Sequence, residues 1–363
     1  DSSTSRGLGD VYKRQVLTLG LVVTGCGSNS SKADDSAKTD SGSKKEASAD
    51  GYQVVNIGFP SAGYEWAEGA LAVAEEKGYL DEYLNPLGYD ADLIPFTGAA
   101  PAIHEALVSG DLDYAYYAGF AGIMAKSNGI DTKLLAVTSF GSAWQLAVSA
   151  DSGITSLEDL KGKTISYQRG ATPQMYVLKV LEEAGLSTDD VQLVNSTIPE
   201  GLSSLSTGAV DAAVVTYGQA DTLVEQGKAS IIHKGVDADA DTFYEPSVLT
   251  GRTDFVEKNA DVSSAIIEAM LKARDDIIAD PEAFYELSSE KSGRTLEQVK
   301  SVAVSDVELA YPVNLDERYI TSLKNIEQFE LDNDIITNQV DFDSWIDSSY
   351  LEKAVQDYQE NAQ

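Results

Sequence analysis

Five short stretches of the chain, residues 61–63, 97–101, 118–122, 168–172 and 217–219, each hold at least one glycine, and the first four are rich in other small residues. Small side chains let backbone N–H groups approach a ligand closely. Where such a loop runs into a helix, the free N–H groups and the helix dipole favour negative charge. None of the five holds Asp or Glu, although the chain has 59 acids. The pattern points to capture of an anionic or neutral polar head by Ser61, Ala62, Thr97, Gly98, Gly119, Gly170, Ala171 and Thr172. Tight strand-to-helix turns also favour small residues, so turn chemistry is the competing reading. Arg169 is the one cation within these loops. It is suited either to pairing with an anionic head or to decorating the surface. Tyr64, Trp66, Tyr116, Tyr117, Phe120, Trp144, Tyr167 and Tyr217 lie in or beside the loops. Their rings could wall an apolar ligand body, while Tyr116 and Tyr167 fit a strand core equally well. Thr172 followed by Pro173 reads as an N-cap and first helical position.

Other chemistries are poorly supplied. With one Cys and two His, no intrachain disulfide, cysteine zinc cluster or CxxC pair can form, and no metal or cofactor is expected. The spacing Asp237, Asp239, Asp241 begins like a calcium loop. It then places Thr242 at the turn glycine and Val248 at the bidentate glutamate, so it reads as a solvated loop. Gly162, Lys163 and Thr164 end like a phosphate-binding loop, but Leu157 occupies the first glycine position and a strand follows. His104 stands beside Glu105 in a predicted helix and is expected at the surface. A net charge of −33 repels nucleic acid and anionic lipid surfaces.

Attachment to a membrane would therefore need another device. Residues 1–15 resemble translated adapter sequence and are expected to be non-native. Residues 16–26 read as a truncated signal peptide, because the apolar run is too short to span a bilayer. Val23-Thr24-Gly25-Cys26 is similar to a bacterial lipobox, which makes Cys26 the expected lipidation site. Residues 27–51 hold almost no apolar side chains and read as a flexible tether.

The loops need a scaffold, and from Tyr52 onward the pattern supplies one. Apolar strands at 54–59, 91–96 and 113–117 alternate with helices near 66–77 and 103–109 and after residue 122. The same order returns with strands at 164–167, 191–195 and 212–216 and helices from Pro173 and around 202–206. Leu107–Asp113 and Leu205–Asp211 echo one another: a helix stops at Gly110 or Gly208, and an apolar-Asp pair opens the next strand. After one more strand at 247–250, helices are expected at 263–278, 281–291, 296–302, 317–330 and 348–359. Short strands alternating with helices indicate parallel α/β construction.

Ser156-Leu-Glu-Asp-Leu-Lys-Gly-Lys-Thr-Ile165, Arg169-Gly-Ala-Thr172 and Leu181-Glu-Glu-Ala-Gly-Leu186, with Glu76-Lys-Gly-Tyr-Leu80 and Thr97-Gly-Ala-Ala-Pro101, carry a family resemblance. The sequence resembles the nitrate/sulfonate/taurine-type substrate-binding proteins of ABC transporters, strongly from about 52 to 254 and only in general character beyond. The resemblance implies a type II periplasmic-binding-protein fold, two α/β lobes joined by two crossover strands, with lobe 1 at 52–147 plus 245–363 and lobe 2 at 148–244. It implies a non-enzymatic lipoprotein at the outer face of the cell membrane, or periplasmic in a Gram-negative source. Such a protein captures a small organic anion, alkanesulfonate- or taurine-like, and works with an ABC permease and its ATPase. Nitrate and thiamin-pyrimidine precursors are alternative ligands, and a pyrimidine-synthase-like enzyme is the alternative class. The expected ligand-binding set is Ser61, Ala62, Tyr64, Thr97, Gly98, Gly119, Phe120, Trp144, Arg169, Gly170, Ala171, Thr172 and Tyr217.

Overall fold

The computed structural model describes residues 51–61, 65–97 and 99–361. The expected signal peptide, the Cys26 lipidation site and the tether up to residue 50 lie outside the described residues. Ten strands form two five-stranded sheets. They are β1 (Gln53–Pro60), β2 (Tyr89–Phe96), β3 (Tyr114–Ala118), β4 (Thr132–Gly141), β5 (Trp144–Ser149), β6 (Thr164–Tyr167), β7 (Gln192–Asn195), β8 (Ala212–Thr216), β9 (Ala229–Lys234) and β10 (Glu245–Arg252). The first sheet runs β2-β1-β3-β10-β4 and the second β7-β6-β8-β5-β9. In each, three parallel strands meet one antiparallel strand, β10 or β5, that belongs in sequence beside the other half. Two α/β lobes joined by two crossovers are therefore written into the strand order.

The expected division after Ala147 needs correction. β5 begins at Trp144 and pairs along its length with β8 and β9, so the first crossover is residues 142–143. Only two residues, Ser142 and Ala143, separate β4 from β5, too short a break to mark the change of sheet in the sequence. The second crossover spans residues 235–244 and carries the short helix Ala240–Phe243. Here the supposed solvated loop is partly structured: the Asp239 carboxylate caps that helix through Thr242 N at 3.0 Å, and Asp241 pairs with Arg318 at 2.8 Å.

Each sheet is covered on both faces, as expected where strands carry near-continuous apolar runs. Ile57, Leu71, Tyr114 and Met270 belong to one core on the first sheet, and Ile103, Leu112, Phe140, Leu323 and Trp345 to another. Ile165, Tyr176 and Val177 pack in one cluster of the second lobe, Leu205 and Val215 in a second. Beyond β10 the chain stays mostly helical and packs back on the first lobe, chiefly through the helices Ala260–Ala279, Glu317–Asp332 and Ser349–Asn361.

The repeated Gly-x-apolar-Asp pattern performs one structural task twice. Gly110 and Gly208 take left-handed φ values of 83° and 72°, which end their helices cheaply. The carboxylate of Asp113 then accepts from Asn56 N at 3.0 Å, while Asp113 N donates to Asn56 O at 2.9 Å. Asp211 does the same to Thr164, at 2.8 and 2.9 Å. The carbonyls of both aspartates accept from the far end of the antiparallel strand, Arg252 N at 2.9 Å and Ser149 N at 2.8 Å. Each Asp thus locks the start of its strand to two neighbours.

Candidate ligand-binding site

The strand ends, both crossovers and the C-terminal helices surround a cavity of about 410 Å³. That volume lies within the range typical of sites for small organic molecules. The first lobe contributes Pro60, Trp66 and Glu68 after β1, Tyr116 and Tyr117 on β3, and Phe140 at the end of β4. The second contributes Trp144, Thr172 and Tyr217, the first crossover adds Ser142, and Glu245 comes from the start of β10. One wall comes from the helical tail: Phe284, Tyr285, Ser288, Arg294 and Tyr311. The surface is strongly aromatic, suited to an apolar or planar ligand body.

Its polar equipment is specific. Arg294 follows Gly293, whose φ of 70° ends the helix Pro281–Ser292 and turns the chain back toward the cleft. The guanidinium donates from Nε to Ser292 Oγ at 2.8 Å and pairs through Nη2 with Glu68 Oε1 at 2.9 Å. It also lies over the Tyr217 ring, 5.1 Å from the centroid, and so touches the opposite lobe. Glu68 sits at φ 63°, ψ 161°, a region almost reserved for glycine that costs about 1–3 kcal/mol. Its carbonyl accepts from Tyr116 OH at 3.2 Å. Among the described residues, three buried polar atoms of the lining have no hydrogen-bond partner: Trp66 Nε1, Ser142 Oγ and Ser288 Oγ. Buried polar atoms are normally satisfied, and leaving one unpaired costs about 1–3 kcal/mol. Burial pushes the Glu245 carboxyl up to about 7, opposed by nearby Lys179 and a hydrogen bond from the Thr172 side chain.

Of the residues expected from sequence, Trp144, Thr172 and Tyr217 line this cavity together. Ala62, Tyr64 and Gly98 lie outside the described residues. Ser61 is tied to β2 through its N–H to Phe96 O at 3.0 Å, and Thr97 is exposed beyond the cavity wall. Gly119 is small for packing: a Cβ there would lie 2.4 Å from Leu323 Cδ2 and 2.9 Å from Pro246 O. Phe120 is buried in the first-lobe core. Arg169 and Gly170 line a separate depression with Gln174 and Asn333, where Arg169 Nε donates to Tyr167 OH at 3.3 Å. The N-cap of the helix Thr172–Glu183 is Ala171, one residue before the expected position, and no side chain caps it. His104 is half-buried instead of lying at the surface: Nε2 is 3.0 Å from Ala121 O, and the ring meets Tyr117 edge-on. The residues that sequence reasoning missed are Glu68, Glu245 and the tail wall, above all Arg294. The signal that could have found Arg294 is its place between Gly293 and the capping box of Thr295 and Gln298, a tight turn that fixes its backbone.

Among the described residues, no group of three or more His, Cys, Asp or Glu could hold a metal ion, and no helix is long and apolar enough to cross a membrane.

Known proteins share this architecture. A protein of Brucella abortus (strain 2308) named as a binding protein is 29% identical over 227 residues, 62% of this chain and 67% of that one. The periplasmic sulfonate-binding protein of a sulfonate ABC transporter from Methylobacillus flagellatus KT superposes with a TM-score of 0.72. The match covers 85% of this chain and 95% of that one at 21% identity. The desulfurization enzyme DszB superposes with a TM-score of 0.65, over 84% and 99% of the two chains at 19% identity. The NMT1/THI5 like family model matches residues 68–284, from the strained Glu68 to Phe284 on the tail wall, and the chain belongs to that family.

Proposed function

We propose that the chain is the substrate-binding component of an ABC importer, taking a small organic anion of the alkanesulfonate type into the interlobe cleft. The observation that carries this reading is Arg294 beside the unpartnered Trp66 N–H and Ser288 hydroxyl in an aromatic cavity. Trp66 and Ser288 are donors held ready for acceptor oxygens, Arg294 adds positive charge from its pair with Glu68, and the aromatic walls suit the carbon body behind them. A simple inorganic ion such as nitrate would leave most of the 410 Å³ to water. The thiamin-pyrimidine alternative is favoured by one specific feature, two carboxylates, Glu68 and Glu245, among flat aromatic side chains. Sulfonate-binding names among proteins of this fold support the anion reading. DszB shows that the same fold can carry chemistry. Against an enzyme here stand the two histidines, both engaged away from the cavity. His104 bonds to Ala121, and His233 lies between Tyr176 OH at 2.6 Å and Glu183 at 3.1 Å.

On this reading the folded lobes work outside the membrane, held by lipid on Cys26, and hand the ligand to a permease and its ATPase. A thermal-shift screen of alkanesulfonates, nitrate, amino acids and thiamin-pyrimidine precursors tests the ligand class, since a true ligand stabilises the fold by mass action. Stabilisation by alkanesulfonates is the expected outcome; stabilisation by pyrimidines alone would replace this reading with the second one. Intact-mass measurement of the protein from its native membrane checks the anchor.

A further inference from the structure

Among the described residues, Arg294 is the only cation lining the cavity, and its charge is answered within the fold. Glu68 Oε1 lies 2.9 Å from Arg294 Nη2, and Arg294 Nε donates to Ser292 Oγ at 2.8 Å. The unpartnered donors of the lining near them, Trp66 Nε1 and Ser288 Oγ, are neutral. Taken together, these four side chains carry no net formal charge. Glu68 also stands where glycine would be easier. Its φ of 63° and ψ of 161° lie in a region almost reserved for glycine, and Tyr116 OH fixes its carbonyl at 3.2 Å. Gly69 beside it leaves room for that hydroxyl, which a Cβ would meet at 2.8 Å. β3 thus pins the backbone of residue 68, and the strained side chain brings its carboxylate to Arg294. Strain of this kind concentrates at ligand sites.

Resting on the anion reading above, we propose that Glu68 sets the charge selectivity of the head site. By neutralising Arg294 it admits singly charged, sulfonate-like heads and rejects doubly charged ones such as phosphate monoesters. Stripping water from an anion becomes much harder as its charge grows. Neutral donors beside a compensated guanidinium can offset the loss for a monoanion. A dianion needs a cation whose charge is still open, and it meets twice the repulsion from the Glu68 carboxylate. The charged and titratable groups that face Glu68 are Arg294 on the tail wall, Tyr116 on β3 and Tyr311 beyond the helix Val307–Ala310. Glu245, the other acid of the lining, is faced by Lys179 and the Thr172 side chain.

Calorimetry with propanesulfonate and ethyl phosphate, two ligands matched in heavy atoms, tests this on the whole chain at pH 5 and pH 8. The sulfonate stays singly charged throughout, whereas ethyl phosphate takes its second charge at about pH 6. Relative to the sulfonate, the Kd of ethyl phosphate should rise at least about tenfold from pH 5 to pH 8, and about a hundredfold where only the monoanion binds. Glu68→Gln should hold that rise to about threefold or less. Burial raises Glu245 to about 7, so it gains charge over the same range in wild type and variant, and the difference between them belongs to Glu68. Damage to the fold would weaken both ligands alike and leave their ratio unchanged. Glu68→Gly removes the same carboxylate with the strain relieved, and decides the matter if the Gln variant does not fold. A ratio that stays constant with pH in the wild type, or rises as steeply in the variants, overturns the inference while leaving the anion reading intact. Rejection of ethyl phosphate at pH 5 as well makes shape the filter, and overturns it too. Failure of both ligands at both pH values overturns the anion reading with it.

Discussion

Replacing Arg294 with Ala separates the head-group role of this residue from its structural one. In the fold, Arg294 makes a partly exposed pair with Glu68, the two side chains being 20% and 47% exposed, and lies over the Tyr217 ring. Solvent screening limits such a pair to about 1 kcal/mol, and a cation over an exposed ring adds about 0.5–1 kcal/mol. The variant should thus unfold only a few degrees below the wild type, given about 2–4 °C per kcal/mol for a protein of a few hundred residues. Binding should suffer far more. A charge-assisted hydrogen bond to an anionic head contributes about 1.5–3 kcal/mol. At 1.4 kcal/mol per decade that is roughly a 10- to 150-fold rise in Kd. Arg169→Ala is the internal control: that guanidinium lies in a different depression, on Tyr167, and its loss should leave Kd within about twofold. Calorimetry on both variants, with thermal melts alongside, reads the two effects separately. Wild-type affinity in Arg294→Ala, or a large loss in Arg169→Ala, would refute the placement of the head.

Stability should fall as pH rises from about 5 to 8. Burial raises Glu330 from 4.5 to about 9 and Glu268 and Glu245 to about 7, so the unfolded chain gives up these protons first across that window. Asp190, held down to about 2 by Lys161 and the Ser187 N–H, loses its contribution only at pH values below 3.8. Thermal melts should therefore show Glu330→Gln raising Tm at pH 8 and flattening the profile. A lower Tm at pH 5 than at pH 8 in the wild type would contradict the assignment. Gly235→Ala should destabilise by about 1–3 kcal/mol, because a Cβ there meets Ser142 Oγ at 2.2 Å, where the two crossovers touch. Denaturant titration checks it, with Ser142→Gly in the same chain expected to restore part of the loss. Gln298→Glu keeps the capping-box acceptor for Thr295 N but loses the interlobe donation to Asp221 at 2.6 Å. Stopped-flow measurement should show faster ligand release at a nearly unchanged association rate, since the bond acts only between closed lobes.

How much of this was legible in the sequence depended on whether the decisive contact was local. β1, β2, β3, β6, β7 and β8 announced themselves because each apolar run is short, ends at a small-residue loop and leads into a helix. The Gly110 and Gly208 stops are local too, and so is the Asp three residues after each. β4 and β5 escaped because their partners, β10 and β8–β9, lie far along the chain and only Ser142 and Ala143 separate the two strands. Arg169 misled for the same reason. Its loop position suggested the cleft, but Tyr167 OH and the bond from Arg169 N to Asn195 Oδ1 hold that segment elsewhere. For Arg294 the Gly293 turn and the Thr295–Gln298 box mark a fixed backbone in the sequence, but its place at the cleft follows only from the return of the tail to the first lobe.

The two lobes share a plan, yet the cleft between them is lopsided, and the cause lies in the helical chain beyond β10. Among the described residues, the second lobe offers the cavity Trp144 and Tyr217, on or just after a strand, and Thr172, which opens the helix Thr172–Glu183. The first lobe adds a whole wall from the tail, and that wall rests on the core beneath it: Phe284, Tyr285 and Val299 pack in the same cluster as Ile57 and Met270. A side chain on this wall can change without disturbing a sheet, because its backbone is fixed independently by the Asp280 cap, the Gly293 turn and the Thr295–Gln298 capping box. The sheets and the two Asp clamps then set where the lobes meet, while the 281–311 segment sets much of what they can hold. Selectivity on this scaffold should accordingly track the tail wall more closely than the small-residue loops at the strand ends.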